Sequence, residues 1–140
     1  MKNFVFNLEK LLEIRRYAER KKILELAEVT GRYMNIINSI EDLKKKKKDI
    51  MESRFRGHGS STYSVMYDES LISAIDRKVF NFEKKLIPIN VERENRRLEY
   101  LEAMKNKKVI ENIKDKQAQE HKKKELLREE KAIDDIVSSY

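Results

Sequence analysis

Apolar residues recur in the first part of the chain at intervals that alternate between three and four. Such spacing, sustained over several heptads, places apolar side chains on one stripe of an α-helix, which is buried against another helix. Ten of the fourteen stripe positions are apolar, and Arg15, Glu19 and Lys22 form an interruption. The pattern predicts a coiled coil that packs weakly at this interruption. The positions are Val5, Leu8, Leu12, Arg15, Glu19, Lys22, Leu26, Val29, Tyr33, Ile36, Ile40, Leu43, Lys47 and Ile50.

A second stripe with helical spacing begins after residue 70. Pro88 interrupts it, and because proline removes a backbone hydrogen bond and crowds the preceding turn, we predict a kink there. Residues 114–124 are almost wholly polar, as expected of a helix that is solvated on all sides or wrapped by a partner. The apolar members are Ile72, Ile75, Val79, Phe82, Leu86, Ile89, Tyr100, Ala103, Ile110, Leu126, Ile133, Ile136 and Tyr140.

One strong loop signal separates the two stripes, the segment from Gly57 to Ser61. Charged residues make up 41% of the chain, which leaves too little apolar surface for a globule but enough for a helix pair. We predict an all-α fold, a long two-helix antiparallel coiled-coil hairpin that forms a single domain over residues 1–140. The predicted elements are a helix over about 4–54, a loop over about 55–62 and a helix over about 63–137. A parallel dimer has the same heptads, but the loop favours the hairpin.

Several kinds of site are excluded by the residue inventory. The chain has no cysteine, and its two histidines, His58 and His121, lie far apart without other ligands at metal-binding spacing. No glycine-rich phosphate loop is present, and a helix pair offers no pocket for general acid–base chemistry. We therefore expect a protein that is not an enzyme and has no cofactor or metal. Since no apolar run is long enough to cross a membrane, we expect a cytoplasmic protein.

The charge balance favours an acidic partner. Lys and Arg exceed Asp and Glu by 32 to 25, a net charge of +7, and Lys44–Lys48 is an unbroken run. The run is interpreted as a solvated turn with at least one lysine facing the helix seam, or as an anion contact. Without interleaved aromatic residues it does not suggest single-strand stacking. A basic nucleic-acid or anionic-surface binder, and a purely structural coiled coil, remain the alternatives. Glu28 and Arg32 are spaced for an ion pair within a helix.

Three segments resemble the FliJ family of flagellar export proteins. The opening FVFNLEKLLEIR at 4–15 is similar to the start of that family, and ENRRLEYLEA at 94–103 is similar to its middle region. REEKAIDDI at 128–136 resembles its acidic C-terminal motif. The resemblance extends over nearly the whole chain and depends on the order of the motifs, since each one is weak by itself.

This resemblance implies a non-enzymatic, stalk-like coiled coil of the flagellar type III export apparatus. Its partners would be the hexameric export ATPase, the membrane export gate protein and export chaperones, with no nucleic acid and no direct membrane insertion. The protein would lie at the cytoplasmic face of the membrane, at the flagellar base. An injectisome stalk protein has the same architecture and is the alternative within this class.

The resemblance also suggests two contact sites. The position of the family's gate contact corresponds to Leu71, Ile75, Lys78 and Phe82; Lys78 replaces a small residue there and Phe82 a polar one. For the ATPase ring we predict a contact by Ile133, Asp134, Asp135 and Ile136. Acidic residues are unfavourable at a helix C-terminus, so cationic ring residues would stabilise them. A frayed tail is the alternative.

Overall fold

The chain folds into two long α-helices. The structure is a computed structural model that describes residues 3–55 and 61–140. Helix α1 extends over Glu9–Phe55 (47 residues) and α2 over Thr62–Ser138 (77 residues). The prediction of an all-α helical hairpin is confirmed. The predicted loop at 55–62 and His58 fall largely outside the described residues.

Ion pairs between the helices show that α1 and α2 are antiparallel. Each step towards the C-terminus of α1 is matched by a step towards the N-terminus of α2. The sequence spacing alone did not choose between this arrangement and a parallel dimer. The pairs are Glu9–Lys114, Glu19–Lys107, Lys22–Glu99, Glu25–Arg96, Arg32–Glu92, Lys47–Asp76 and Arg54–Glu69.

Local signals determine where the helices begin. The backbone N–H of Glu9 donates to the carbonyl of Phe6 (3.2 Å), so α1 begins at Glu9 and not near residue 4 as expected. The Ser61 hydroxyl accepts a hydrogen bond from the backbone N–H of Ser64 (3.2 Å), the usual arrangement of an N-cap serine. Pro88 lies inside α2, which extends on both sides of it.

Contacts divide the chain into two compact units, and the first comprises Met1–Ile23 and Glu99–Tyr140. Its core is Phe6, Leu12 and Ile110, and Leu12 is completely buried. Val5, placed in the stripe by its spacing, is 82% exposed, and Phe6 is buried in its stead. The reason is that residues 4–8 precede the helix, so the heptad rule does not apply to them.

The second unit comprises Leu24–Leu98. Val29 and Ile40 of α1 and Ile72 and Ile75 of α2 are its buried apolar residues, all of them at predicted stripe positions. Half-buried residues continue the stripe on both helices, so the heptad pattern describes the packing of this unit. They include Leu26, Tyr33, Ile36, Leu43, Val79, Phe82, Leu86 and Ile89.

Candidate partner-binding surfaces

The polar interruption of the first stripe is an ion-pair layer in the first unit. Glu19 and Lys107 pair at 2.6 Å, and Glu111 lies 3.4 Å from the same ammonium group. Lys22 pairs with Glu99 at 3.2 Å. Glu19 and Lys22 occupy stripe positions that apolar side chains fill elsewhere. The layer therefore belongs to the packing between the helices and is not a free binding surface.

The electrostatics of this layer centre on Lys107. Its hydrogen bond to Glu19 raises the pKa of the ammonium group above the ordinary lysine value, although partial burial acts in the opposite direction. Lys107 is about as buried as Glu19, with 22% and 18% of the side chains exposed. A half-buried charge pair of this kind is expected to strengthen a helix contact more than a fully exposed one.

The last part of α2 is exposed on every side. We call residues 126–140 the acidic tail, because it has four acidic residues against two basic ones, Arg128 and Lys131. Four apolar side chains near its end share one face at helical spacing and are 59% exposed or more. They are Ile133, Ile136, Val137 and Tyr140. The face includes Ile133 and Ile136, two of the residues predicted to contact the ATPase ring. The other two, Asp134 and Asp135, lie between them in the sequence.

The acidic tail is helical almost to its end. The Ser138 hydroxyl donates to the carbonyl of Asp134 (2.6 Å), and the Ser139 hydroxyl donates to the carbonyl of Ile136 (2.8 Å). The carbonyls of Ile136 and Val137 in the last turn also accept the backbone N–H groups of Ser139 and Tyr140 (3.3 Å each). The last turn has no basic residue to balance the helix dipole. The tail therefore presents an ordered apolar face next to uncompensated negative charge.

A groove of about 480 Å³ lies between the two helices of the second unit. Three lysines line it against one aspartate, so its charge is positive. The Lys85 ammonium lies 5.6 Å from the centre of the Phe82 ring, which gives the groove an apolar floor beside its charges. The lining residues are Ser39, Asp42, Leu43, Lys46, Lys78, Asn81, Phe82 and Lys85. The chemistry of the groove fits a partner segment that is acidic and partly apolar.

The structure places the predicted gate residues in different environments. Lys78 and Phe82 line the groove. Ile75 is buried between the helices and Leu71 is half-buried, so both are used in packing. Sequence reasoning missed Lys85. It singled out Lys46 as part of the lysine run but did not place it near Lys78, because that proximity depends on how the two helices align.

The lysine run has mixed roles. Lys47 faces α2 and pairs with Asp76 at 2.8 Å. Lys46 lines the groove, and Lys44 and Lys45 are exposed. The run therefore contributes to packing and to the groove, as well as to the solvated surface.

Comparison with known proteins identifies the family. The family model described as "Flagellar FliJ protein" matches residues 4–140. The chain belongs to the FliJ family. A search of curated proteins found no match, and neither did a search of solved structures.

FliJ-family membership assigns the protein to flagellar export. In the part of this FliJ-family chain that the structure describes, no helix is long and apolar enough to cross a membrane. Within residues 3–55 and 61–140, no group of three His, Cys, Asp or Glu side chains could hold a metal ion.

Proposed function

We propose that this FliJ-family protein is a non-enzymatic coupling component of the flagellar type III export apparatus. It binds the ring of the export ATPase and the membrane export gate protein, and it promotes substrate export. The observation that supports this most strongly is the acidic tail, a helical segment whose apolar face is exposed. A helix with such a face gains free energy when a partner covers it.

The acidic tail is the proposed contact with the ATPase ring. Burial of Ile133, Ile136 and Val137 would supply apolar contact area, and each side chain is at least 59% exposed in the free protein. Asp134 and Asp135 would pair with cationic residues of the ring. Such pairing would also remove an unfavourable interaction with the helix dipole, so that the charges favour a ring-bound tail over a free one.

The groove is the proposed contact with the export gate. Lys78 and Lys85 would pair with carboxylates of an acidic gate segment, and Phe82 would contact an apolar side chain of the same segment. Leu71 and Ile75 would act indirectly, because they hold α2 against α1 beneath this surface. The proposed gate contact thus differs in composition from the row suggested by the resemblance.

Measurement of ATP turnover tests the function as a whole. The purified chain is expected to raise the turnover of its cognate export ATPase and to hydrolyse no ATP when it is alone. Hydrolysis by the isolated chain would contradict the assignment of a non-enzymatic role.

Charge reversal tests the groove. Lys78→Glu with Lys85→Glu is expected to weaken binding to the cytoplasmic part of the gate protein by at least tenfold, because two attractive charges become repulsive. Lys44→Glu with Lys45→Glu is the matched control, since it reverses the same charges on exposed lysines that do not line the groove. Equal losses in both variants would mean that only overall charge matters. No loss in either would refute the groove contact.

A further inference from the structure

The first four turns of α2 have an outward face without charge. It consists of Tyr63, Met66, Tyr67, Ser70, Ser73 and Ala74, and we call it the tyrosine face. Tyr63 is 88% exposed, and Met66 and Tyr67 are each 65% exposed. These three large side chains lie three or four residues apart and form one exposed patch on an uncharged face. Contiguous apolar surface of this kind marks an interaction site more often than isolated apolar residues do.

The acidic residues of this segment lie on its other faces. Glu69 pairs with Arg54 at 2.8 Å, and Asp76 pairs with Lys47 at 2.8 Å, both across to α1. Asp68 is half-buried. The Arg54 guanidinium also donates to the carbonyl of Val65 (3.2 Å). These contacts hold the start of α2 in one rotation about its axis, with the tyrosine face pointing away from α1.

We infer that the tyrosine face is a self-association surface that binds a second copy of this chain. The side chains of the face are large at one end, where the tyrosines lie, and small at the other, at Ser73 and Ala74. Two such helices, paired antiparallel about a two-fold axis at Ser70, place large residues opposite small ones. Met66 then lies opposite Ala74 and Tyr67 opposite Ser73. A two-fold interface requires this kind of self-complementary surface.

Charge supports the same pairing. Arg77 is exposed and is the next residue along the face at helical spacing. In the antiparallel pair it lies opposite Tyr63 of the second copy, where a guanidinium group can stack on the tyrosine ring. No like charges meet in the pairing, because the tyrosine face has none. The six residues of the face offer a charged partner helix no counter-charge, and Arg77 at its end is matched by Tyr63 of an identical copy, so an identical copy fits better.

The size of the surface limits the affinity. Burial of two tyrosines and one methionine per copy covers about 300–500 Å², well below the roughly 800 Å² per partner of a standard stable interface. We therefore expect a weak, reversible dimer. Sedimentation velocity of the full chain from about 10 µM to about 1 mM is expected to show the sedimentation coefficient rising with concentration. A constant monomer value over this range would overturn the inference.

Substitutions at Ser70 test whether the two-fold axis of the dimer lies at this residue. Because residue 70 faces itself in the dimer, Ser70→Glu and Ser70→Lys are each expected to abolish association, and an equimolar mixture of the two variants is expected to restore it. Ser53→Glu is the matched control, since Ser53 is exposed on α1 and lies outside the tyrosine face. Association that persists in Ser70→Glu, or a mixture that stays monomeric, would refute the two-fold arrangement.

Cross-linking gives a second readout that does not depend on affinity. The chain has no cysteine, so Ser70→Cys introduces a single thiol. Under mild oxidation this variant is expected to form a disulfide-linked dimer at least tenfold faster than Ser53→Cys. Equal rates for the two variants would show random collision and would overturn the proposed interface.

Discussion

The ammonium nitrogen of Lys107 lies 2.6 Å from Oε2 of Glu19, at a level of the helix pair where the apolar stripe of α1 is interrupted. The two side chains replace an apolar contact with an ion pair. Neither is fully exposed, so solvent screens the pair less than it screens a surface ion pair. The interruption that the sequence suggested as a weak point is thus bridged by a specific interaction.

Removal of the Glu19 charge should destabilise the first unit. Glu19→Gln is expected to lower the free energy of unfolding by about 1 kcal/mol, because the half-buried ammonium of Lys107 loses the nearer of its two carboxylate partners and keeps only Glu111. Urea unfolding followed by circular dichroism measures the difference. Glu94→Gln is the control, because it removes one carboxylate from an exposed pair with Arg97 within α2. If the control variant loses as much stability as Glu19→Gln, the position of the pair is irrelevant and the account is wrong.

The same pair predicts a pH dependence. The interaction with Glu19 raises the pKa of Lys107 in the folded protein above the ordinary lysine value of 10.5. A raised lysine pKa stabilises the fold at pH values below the unfolded pKa, and this stabilisation is lost as the pH rises through the folded pKa. The stability difference between wild type and Glu19→Gln should therefore be constant between about pH 7 and about pH 9, and should shrink above pH 10.5. A stability difference between the two proteins that grows above pH 10.5 would contradict a raised pKa of Lys107.

Gly31 offers a stabilising substitution. It lies inside α1, and a methyl group added there meets no atom within 4 Å. Gly31→Ala is expected to raise the free energy of unfolding by about 1 kcal/mol, because alanine loses less backbone entropy in a helix and no contact has to move. Ala27→Gly, at an exposed position one turn earlier, should lower it by a similar amount. Destabilisation by Gly31→Ala in thermal or urea unfolding would show that the position needs glycine for another reason.

The buried positions of the fold were predictable from sequence because they depend on local periodicity. Leu12, Val29, Ile40, Ile72 and Ile75 are buried where the heptad spacing placed them. Contacts between the helices were less predictable, since they depend on how α1 and α2 align. Arg32, spaced for a pair with Glu28, instead donates to Glu92 of the other helix at 2.8 Å.

In the candidate surfaces, too, residues identified by local spacing were predictable, and contacts that depend on the folded helices were not. Ile133 and Ile136 were identified from spacing, and the structure places them on one exposed face. The serine hydroxyls that complete the end of α2 were missed, because their hydrogen bonds depend on the helix extending to Ser138. Ile75 was assigned by spacing both to the apolar stripe and to the row of gate-contact residues. It is buried between the helices, and only the packing of α1 against α2 distinguishes the two roles.

We propose above all that the acidic tail binds the export ATPase. The most direct test compares ATPase turnover with the full chain and with a chain truncated after Lys131, which lacks the apolar face and both aspartates. The truncated protein is expected to keep its helical packing, since residues 132–140 are exposed and contribute little to it. It should lose the stimulation of ATPase turnover while binding to the gate protein is retained. Normal stimulation by the truncated chain, with its helical content confirmed by circular dichroism, would contradict the account.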